Sequence, residues 1–221
     1  MNTSIKKYTL PAPFVPSAAP SDGLLKTEDL EKPVKVEITL WVGIRPGITV
    51  QLVLDDDLVG SVWTMAETDK VGDVISMDLD PDLLPRDGSY QLRYRGYNHN
   101  SEVGDLSETT QILVDRAAPG AVLLAQAVVA NINLGDHLNS KIPGYAGMEP
   151  GDIIQTVCNG THGPAYRIHP ENLTTLPIEI AFTREFLEGL FSDKINITYH
   201  VTDRAGNRSI LAQSVELTLQ R

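Results

Sequence analysis

Val34-Lys35-Val36-Glu37-Ile38-Thr39-Leu40 decides the fold class of this chain. Apolar side chains fall on every second residue and polar ones between them, the pattern of a β-strand with one face on a core and one in water. The alternation recurs at Ile48, Val50, Leu52 and Leu54, and at Tyr90, Leu92 and Tyr94. It returns at Ile195, Ile197 and Tyr199, and at Val215, Leu217 and Leu219. Short alternating runs separated by Pro/Gly turns predict an all-β sandwich. Two stretches have helix-forming composition, residues 120–129 and 183–190. The first is β-capable and too apolar for an exposed helix. The second, capped by Thr183, reads as a single turn between strands.

The pattern occurs twice. Gly43-Ile44-Arg45-Pro46-Gly47-Ile48-Thr49-Val50-Gln51 and Gly147-Met148-Glu149-Pro150-Gly151-Asp152-Ile153-Ile154-Gln155 share Gly, Pro, Gly and Gln at a constant offset of 104. Arg93-Tyr94-Arg95 matches Thr198-Tyr199-His200 at an offset of 105. Two anchors at nearly one spacing indicate a duplicated module. The boundary falls at Val114-Asp115-Arg116-Ala117-Ala118-Pro119-Gly120, because Pro119 cannot donate to a ladder and ends the preceding strand. Residues 1–22, rich in Pro, Ser and Ala, read as an extended lead-in. Residues 23–116 then form a first domain and residues 117–221 a second.

Composition narrows the function. A chain of 221 residues with 42% hydrophobic side chains builds a real core without staples. Its formal net charge of -11 disfavours phosphate backbones and anionic membranes. The lone Cys158 allows no intrachain disulfide, and before Asn159-Gly160 it reads as a strand-end residue rather than a nucleophile. No stretch approaches the roughly 18 consecutive apolar residues of a membrane span. The N-terminal residues lack an apolar core of signal-peptide length, so export would rest on a signal elsewhere or on a leaderless route. A cytoplasmic location is also compatible with these residues.

Tyr199-His200-Val201-Thr202-Asp203-Arg204-Ala205-Gly206-Asn207-Arg208-Ser209 resembles the closing signature of bacterial immunoglobulin-like repeats. Val114-Asp115-Arg116-Ala117-Ala118-Pro119 resembles the junction between such repeats, and residues 142–152 are similar to a segment of repeats in large bacterial surface proteins. The resemblance covers most of residues 115–221 and is weaker over 23–114, where Gly96-Tyr97-Asn98-His99-Asn100-Ser101 replaces the Asp-x-Ala-Gly-Asn loop. It implies two tandem immunoglobulin-like Greek-key β-sandwiches from a larger extracellular or cell-surface chain. It supplies no catalytic residues.

Candidate sites follow from residue type. Asp203 and Gly206 suit a tight hairpin turn, and Arg204 and Asn207 share that tip. Tyr97, Asn98 and His99 occupy the matching tip of the first domain. Trp41 falls in the phase opposite Val36, Ile38 and Leu40, which predicts an outward aromatic suited to a protein or glycan partner. Asp55 and Asp57 in one run, Asp80 and Asp82 in another, and Asp115 at the junction offer hard oxygen ligands suited to Ca²⁺, although neither run has the twelve-residue calcium loop. Ordinary solvated turns account for the same acids. His162 and His169, flanked by Gly163, Pro164 and Pro170, read as an irregular loop without zinc spacing. No phosphate loop, nucleophile elbow or zinc-protease helix is present. The expected function is non-catalytic: spacing or presenting binding surfaces in a larger protein. The alternatives are a carbohydrate- or protein-binding module, or an accessory domain of a secreted effector or hydrolase.

Overall fold

Among the described residues the alternating runs lie in strands, with Leu40 and Ile48 just beyond the paired ends. The computed structural model describes residues 10–100, 103–129 and 136–218. Residues 1–9, Ser101 and Leu219 lie outside that range. The chain divides into two compact units, Met1–Arg116 and Ala117–Arg221.

In the first unit, β1 (Val34–Thr39) pairs antiparallel with β4 (Val74–Leu79). The facing sheet runs β3 (Asp57–Thr64), β2 (Thr49–Leu54), β5 (Gly88–Asn98), β6 (Val103–Leu106), and β7 (Thr110–Val114) also pairs with β5. The chain changes sheets between β1 and β2, between β3 and β4, and between β4 and β5. That is the Greek-key path of an immunoglobulin-like sandwich. The second unit repeats it: β8 (Val128–Val129), β9 (His137–Ile142) and β12 (Ile178–Thr183) form one sheet in the order β12-β9-β8. β10 (Ile153–Cys158), β11 (Thr161–Arg167), β13 (Lys194–Thr202) and β14 (Val215–Thr218) form the other in the order β11-β10-β13-β14.

Each interior is the inward set of these alternations. Val34, Val36, Ile38, Leu52, Leu54, Leu79, Leu92 and Tyr94 share one cluster in the first unit. Ile142, Ile154, Ile178, Ile180, Tyr199 and Val201 form the corresponding cluster in the second. The duplicated Gly-x-x-Pro-Gly stretch is one turn built twice. Gly47 and Gly151 both take a left-handed backbone, φ 87 and 104, which an L side chain adopts only with strain.

The Pro-rich lead-in is corrected by the structure. From Leu10 onward it belongs to the first sandwich. Leu10 bridges Ser107, Phe14 bridges Glu37 and Leu24 bridges Leu113. Leu10, Val15 and Leu25 enter the core. The prolines interrupt its pairing, so composition imitates a linker while the apolar residues between them do the packing.

Residues 120–129, read as β-capable rather than an exposed helix, form turns and the two-residue β8. One further expectation changes. His162 sits in β11 rather than in an irregular loop, and Pro164 fits there because β11 is an edge strand with a register shift opposite Gln155–Val157. The 183–190 stretch is the expected single turn, α1 (Arg184–Glu188), and Thr183 Oγ1 accepts from the Phe186 N–H.

Leu10→Ala tests whether the N-terminal segment is core. The lost burial and residual cavity should destabilise the first unit by about 2–4 kcal/mol in urea unfolding of the full chain. A true linker residue would leave the transition unmoved.

Candidate functional site

One end of the first unit gathers the loops 40–48 and 65–73 and the β5–β6 hairpin. Leu40 N–H donates to the Asp73 carbonyl, Gly47 N–H to Met65 and Met65 N–H to Ile48. Beneath these loops lies an apolar cluster of Leu40, Ile44 and Met65, with Trp41, Ile48, Trp63 and Ile75 packed against it. The loop end is therefore braced by its own small core.

Trp41 belongs to that brace and does not face out. β1 ends at Thr39, so the two-residue period stops before Trp41 and its ring turns inward. It stacks on Tyr94 at 5.6 Å between centroids. Gly96 makes room: a Cβ there would stand 2.8 Å from the indole. The outward aromatics of this end are instead Tyr97 and His99, in edge contact at 4.9 Å, with the Arg95 guanidinium 4.7 Å from the Tyr97 ring centre. Arg95 lies against Gly104, where a Cβ would collide with its guanidinium. Asn98 Oδ1 accepts from the Asn100 N–H and shapes the turn. At the same loop end four valines stand out, Val42 68%, Val71 51%, Val74 58% and Val103 56% exposed. A group of apolar side chains at one loop end is what a contact surface presents.

In the second unit the Asp203 loop is a staple. Asp203 Oδ1 accepts from the Asn207 N–H at 2.8 Å and Oδ2 from the Asn207 amide at 2.9 Å. Arg204 lays its aliphatic chain over Gly151, whose Cβ would meet Arg204 Cδ at 2.6 Å. Where Trp41 and Ile48 stand in the first unit, the second has Tyr145 and Asp152. The Tyr145 hydroxyl donates to Asp152 Oδ2 at 2.8 Å, and the Glu149 N–H donates to the same oxygen at 3.1 Å. Burial raises the Asp152 pKa, with Asp203 and Glu149 adding repulsion, against these two hydrogen bonds. An acid at a position where the other copy holds isoleucine is the signal that marks this pair in the sequence.

His200, only 5% exposed, lies on the outer side of β13. Its Nδ1 is 3.1 Å from an Arg208 guanidinium nitrogen, and the His162 ring centre is 6.3 Å away. Burial, then Arg208 and His162, lower its pKa, which favours a neutral ring accepting from Arg208. Cys158 is buried at the end of β10, its thiol pushed up to about 12 by burial.

The acids singled out as oxygen ligands lie at the end of the first unit opposite the braced loops. Asp55, with φ 55, and Asp56 make the β2–β3 turn ahead of Asp57. Asp55 Oδ1 accepts from the Gln91 N–H, and Asp56 pairs with Arg93. Asp80 caps the 3-10 turn Pro81–Leu83 by accepting from the Asp82 N–H. Asp115 follows directly on β7. Among the described residues no three His, Cys, Asp or Glu side chains converge as a metal site would require.

Neither a protein-family model nor a curated protein matches the sequence. Among solved structures, the chain is similar to the human OSCAR ligand-binding domain, with a TM-score of 0.38 and 12% identity, over 94% of this chain and 99% of that one. It is similar also to the D0-D1 domain of intimin, with a TM-score of 0.30 and 11% identity, over 90% and 95% of the two chains. The fold assignment rests on the strand order and pairing above.

Asp203→Ala removes two acceptors from the loop and should cost about 1 kcal/mol by denaturant melting; an unchanged midpoint would rule out the staple. Asp152 is informative through pH. Its folded pKa is raised, so its contribution is most favourable below the unfolded value near ~3.9 and is lost as pH rises through the folded value. Asp152→Asn keeps one oxygen acceptor and carries no charge. The melting temperature of the wild type relative to that variant should therefore fall between acidic and neutral pH. A constant difference would contradict the burial argument.

Proposed function

We propose that this chain is a non-catalytic pair of immunoglobulin-like domains that presents a protein-binding surface at the braced loop end of the first unit. One observation carries the reading: loops held by their own apolar cluster leave Val42, Val71, Val74 and Val103 in solvent at the end of the unit that also carries the Arg95–Tyr97–His99 stack. Exposed apolar side chains on a rigid support lose little conformational freedom on docking, which favours affinity. Tyr and Arg at the margin are the residue types that most often dominate such interfaces.

A spacing and presenting role fits the other groups as well. The Cys158 thiol is buried in the core and held protonated, and His200 is occupied by Arg208. The resemblance of residues 199–209 to the closing stretch of bacterial immunoglobulin-like repeats supports a place in a larger surface or secreted chain.

The test is a pull-down from candidate host-surface proteins, with affinities of wild type and variants compared by surface plasmon resonance. Val42→Asp and Tyr97→Ala should each weaken the captured interaction tenfold or more, the loss of about 1.4 kcal/mol or greater expected at a hot spot. Capture that survives both substitutions would reject this end as the binding surface. A glycan array with the same chain addresses the alternative: saturable glycan binding abolished by Tyr97→Ala would replace the protein partner with a carbohydrate.

A further inference from the structure

On the second unit a row of four residues crosses the outer face of the sheet. Arg167 pairs with Ile153, Ile153 with Thr202, and Thr202 bridges Arg208. Each lies in register with the next, so all four side chains rise from the same face. With strands about 4.8 Å apart, the two arginines stand about 14 Å apart at their Cα atoms. The interior lies below this face, because the alternate residues Ile154, Tyr166 and Val201 pack into the core cluster.

The cations on this row are positioned. The Arg208 guanidinium is fixed on His200 Nδ1, and Arg167 Nη1 donates to the Gly151 carbonyl at 3.1 Å. Arg204 crosses the same Gly151 from the other side. His200 belongs to the next outward row, opposite Gln155, and His162 to the one after, opposite Val157. Among the described residues neither Arg167 nor Arg208 pairs with a carboxylate, although the chain carries 29 Asp and Glu against 18 Lys and Arg. Asp203, the acid next to Arg204, is engaged by Asn207. An acidic protein thus keeps two arginines unpaired with carboxylates on one sheet face.

We propose that this face binds the carboxylate groups of an acidic polysaccharide. The charge is complementary, and a guanidinium held in place meets a carboxylate with two parallel N–H donors. The row between the arginines, Ile153 and Thr202, carries no charge and leaves room for sugar rings laid across it. A peptide adding as a strand is disfavoured here: the Thr202 side of β13 is closed by the Arg208 bridge and by Ser209 N–H donating to the Val201 carbonyl, and the β11 edge carries Pro164, which has no N–H to donate. A nucleic acid is disfavoured by the net charge of -11, which acts against the denser phosphate charge. The site is separate from the loop end of the first unit and stands or falls without it.

Calorimetric titration of the full chain with polygalacturonate tests the proposal, with neutral dextran and duplex DNA as comparison probes. Binding to polygalacturonate should weaken about tenfold or more between about 50 mM and about 500 mM salt, as screened charges require. Arg167→Gln with Arg208→Gln should lose about tenfold or more in affinity. Because Arg208 contacts His200, thermal melting accompanies that variant. If it melts early, the surface substitution Arg167→Gln alone decides, with an expected loss of about threefold. No binding to polygalacturonate at low salt, unchanged binding by the arginine variants, or equal binding of dextran or DNA would each overturn the assignment.

Discussion

Each unit closes around one buried tyrosine. Tyr94 on β5 and Tyr199 on β13 stand at equivalent positions, fully buried, and are among the largest side chains in the protein without solvent contact. A ring of that size fixes the gap between the sheets, and its neighbours have to fit it. In the first unit Trp41 stacks on it, and Gly96 next to it has no side chain to displace the indole. In the second, the Tyr199 hydroxyl reaches the Ala125 carbonyl at 2.7 Å, tying the segment before β8 to the facing sheet. Burial raises both phenols, to about 12 for Tyr199, so both rings stay neutral at any ordinary pH, and Tyr199 alone of the two donates a hydrogen bond.

The two units solve the same packing problem with different chemistry. Trp41 and Ile48 fill the loop side of the first core with apolar surface. Tyr145 and Asp152 fill the corresponding place in the second with a hydrogen bond, and a buried acid is tolerated because two donors converge on one of its oxygens. The turn between them keeps its two glycines in both copies, since backbone conformation, unlike side-chain identity, has no substitute there. This explains why the repeat is visible in the sequence at Gly, Pro and Gly and faint elsewhere.

Strands were legible because burial on one face imposes a period of two, and that signal survives in Val34 to Leu40 as plainly as in Ile195 to Tyr199. What was not legible lay where the period stops. Trp41 follows the last paired residue of β1, so its phase no longer predicts its side. The Pro-rich stretch before Gly23 looks unstructured by composition, but Leu10, Val15 and Leu25 carry enough apolar surface to anchor it. The Asp203 turn could be read from its residue types alone, because a local side-chain acceptor acts over four residues. The Arg167–Arg208 row could not, since it joins residues on four separate segments that only register brings together.

The last strand of each sandwich is interrupted in a similar manner. In the first unit Ser107 Oγ accepts from the Tyr94 N–H and donates to the Glu108 carbonyl, between β6 and β7. In the second Ser209 Oγ accepts from the Val201 N–H and donates to the Ile210 carbonyl, ahead of a β14 only four residues long. A hydroxyl placed where a ladder would continue leaves no long straight margin of unmet amides and carbonyls. Modules strung in series sit permanently at high local concentration of near-copies of themselves. A broken margin keeps two such sandwiches in one chain from zipping into one another during folding.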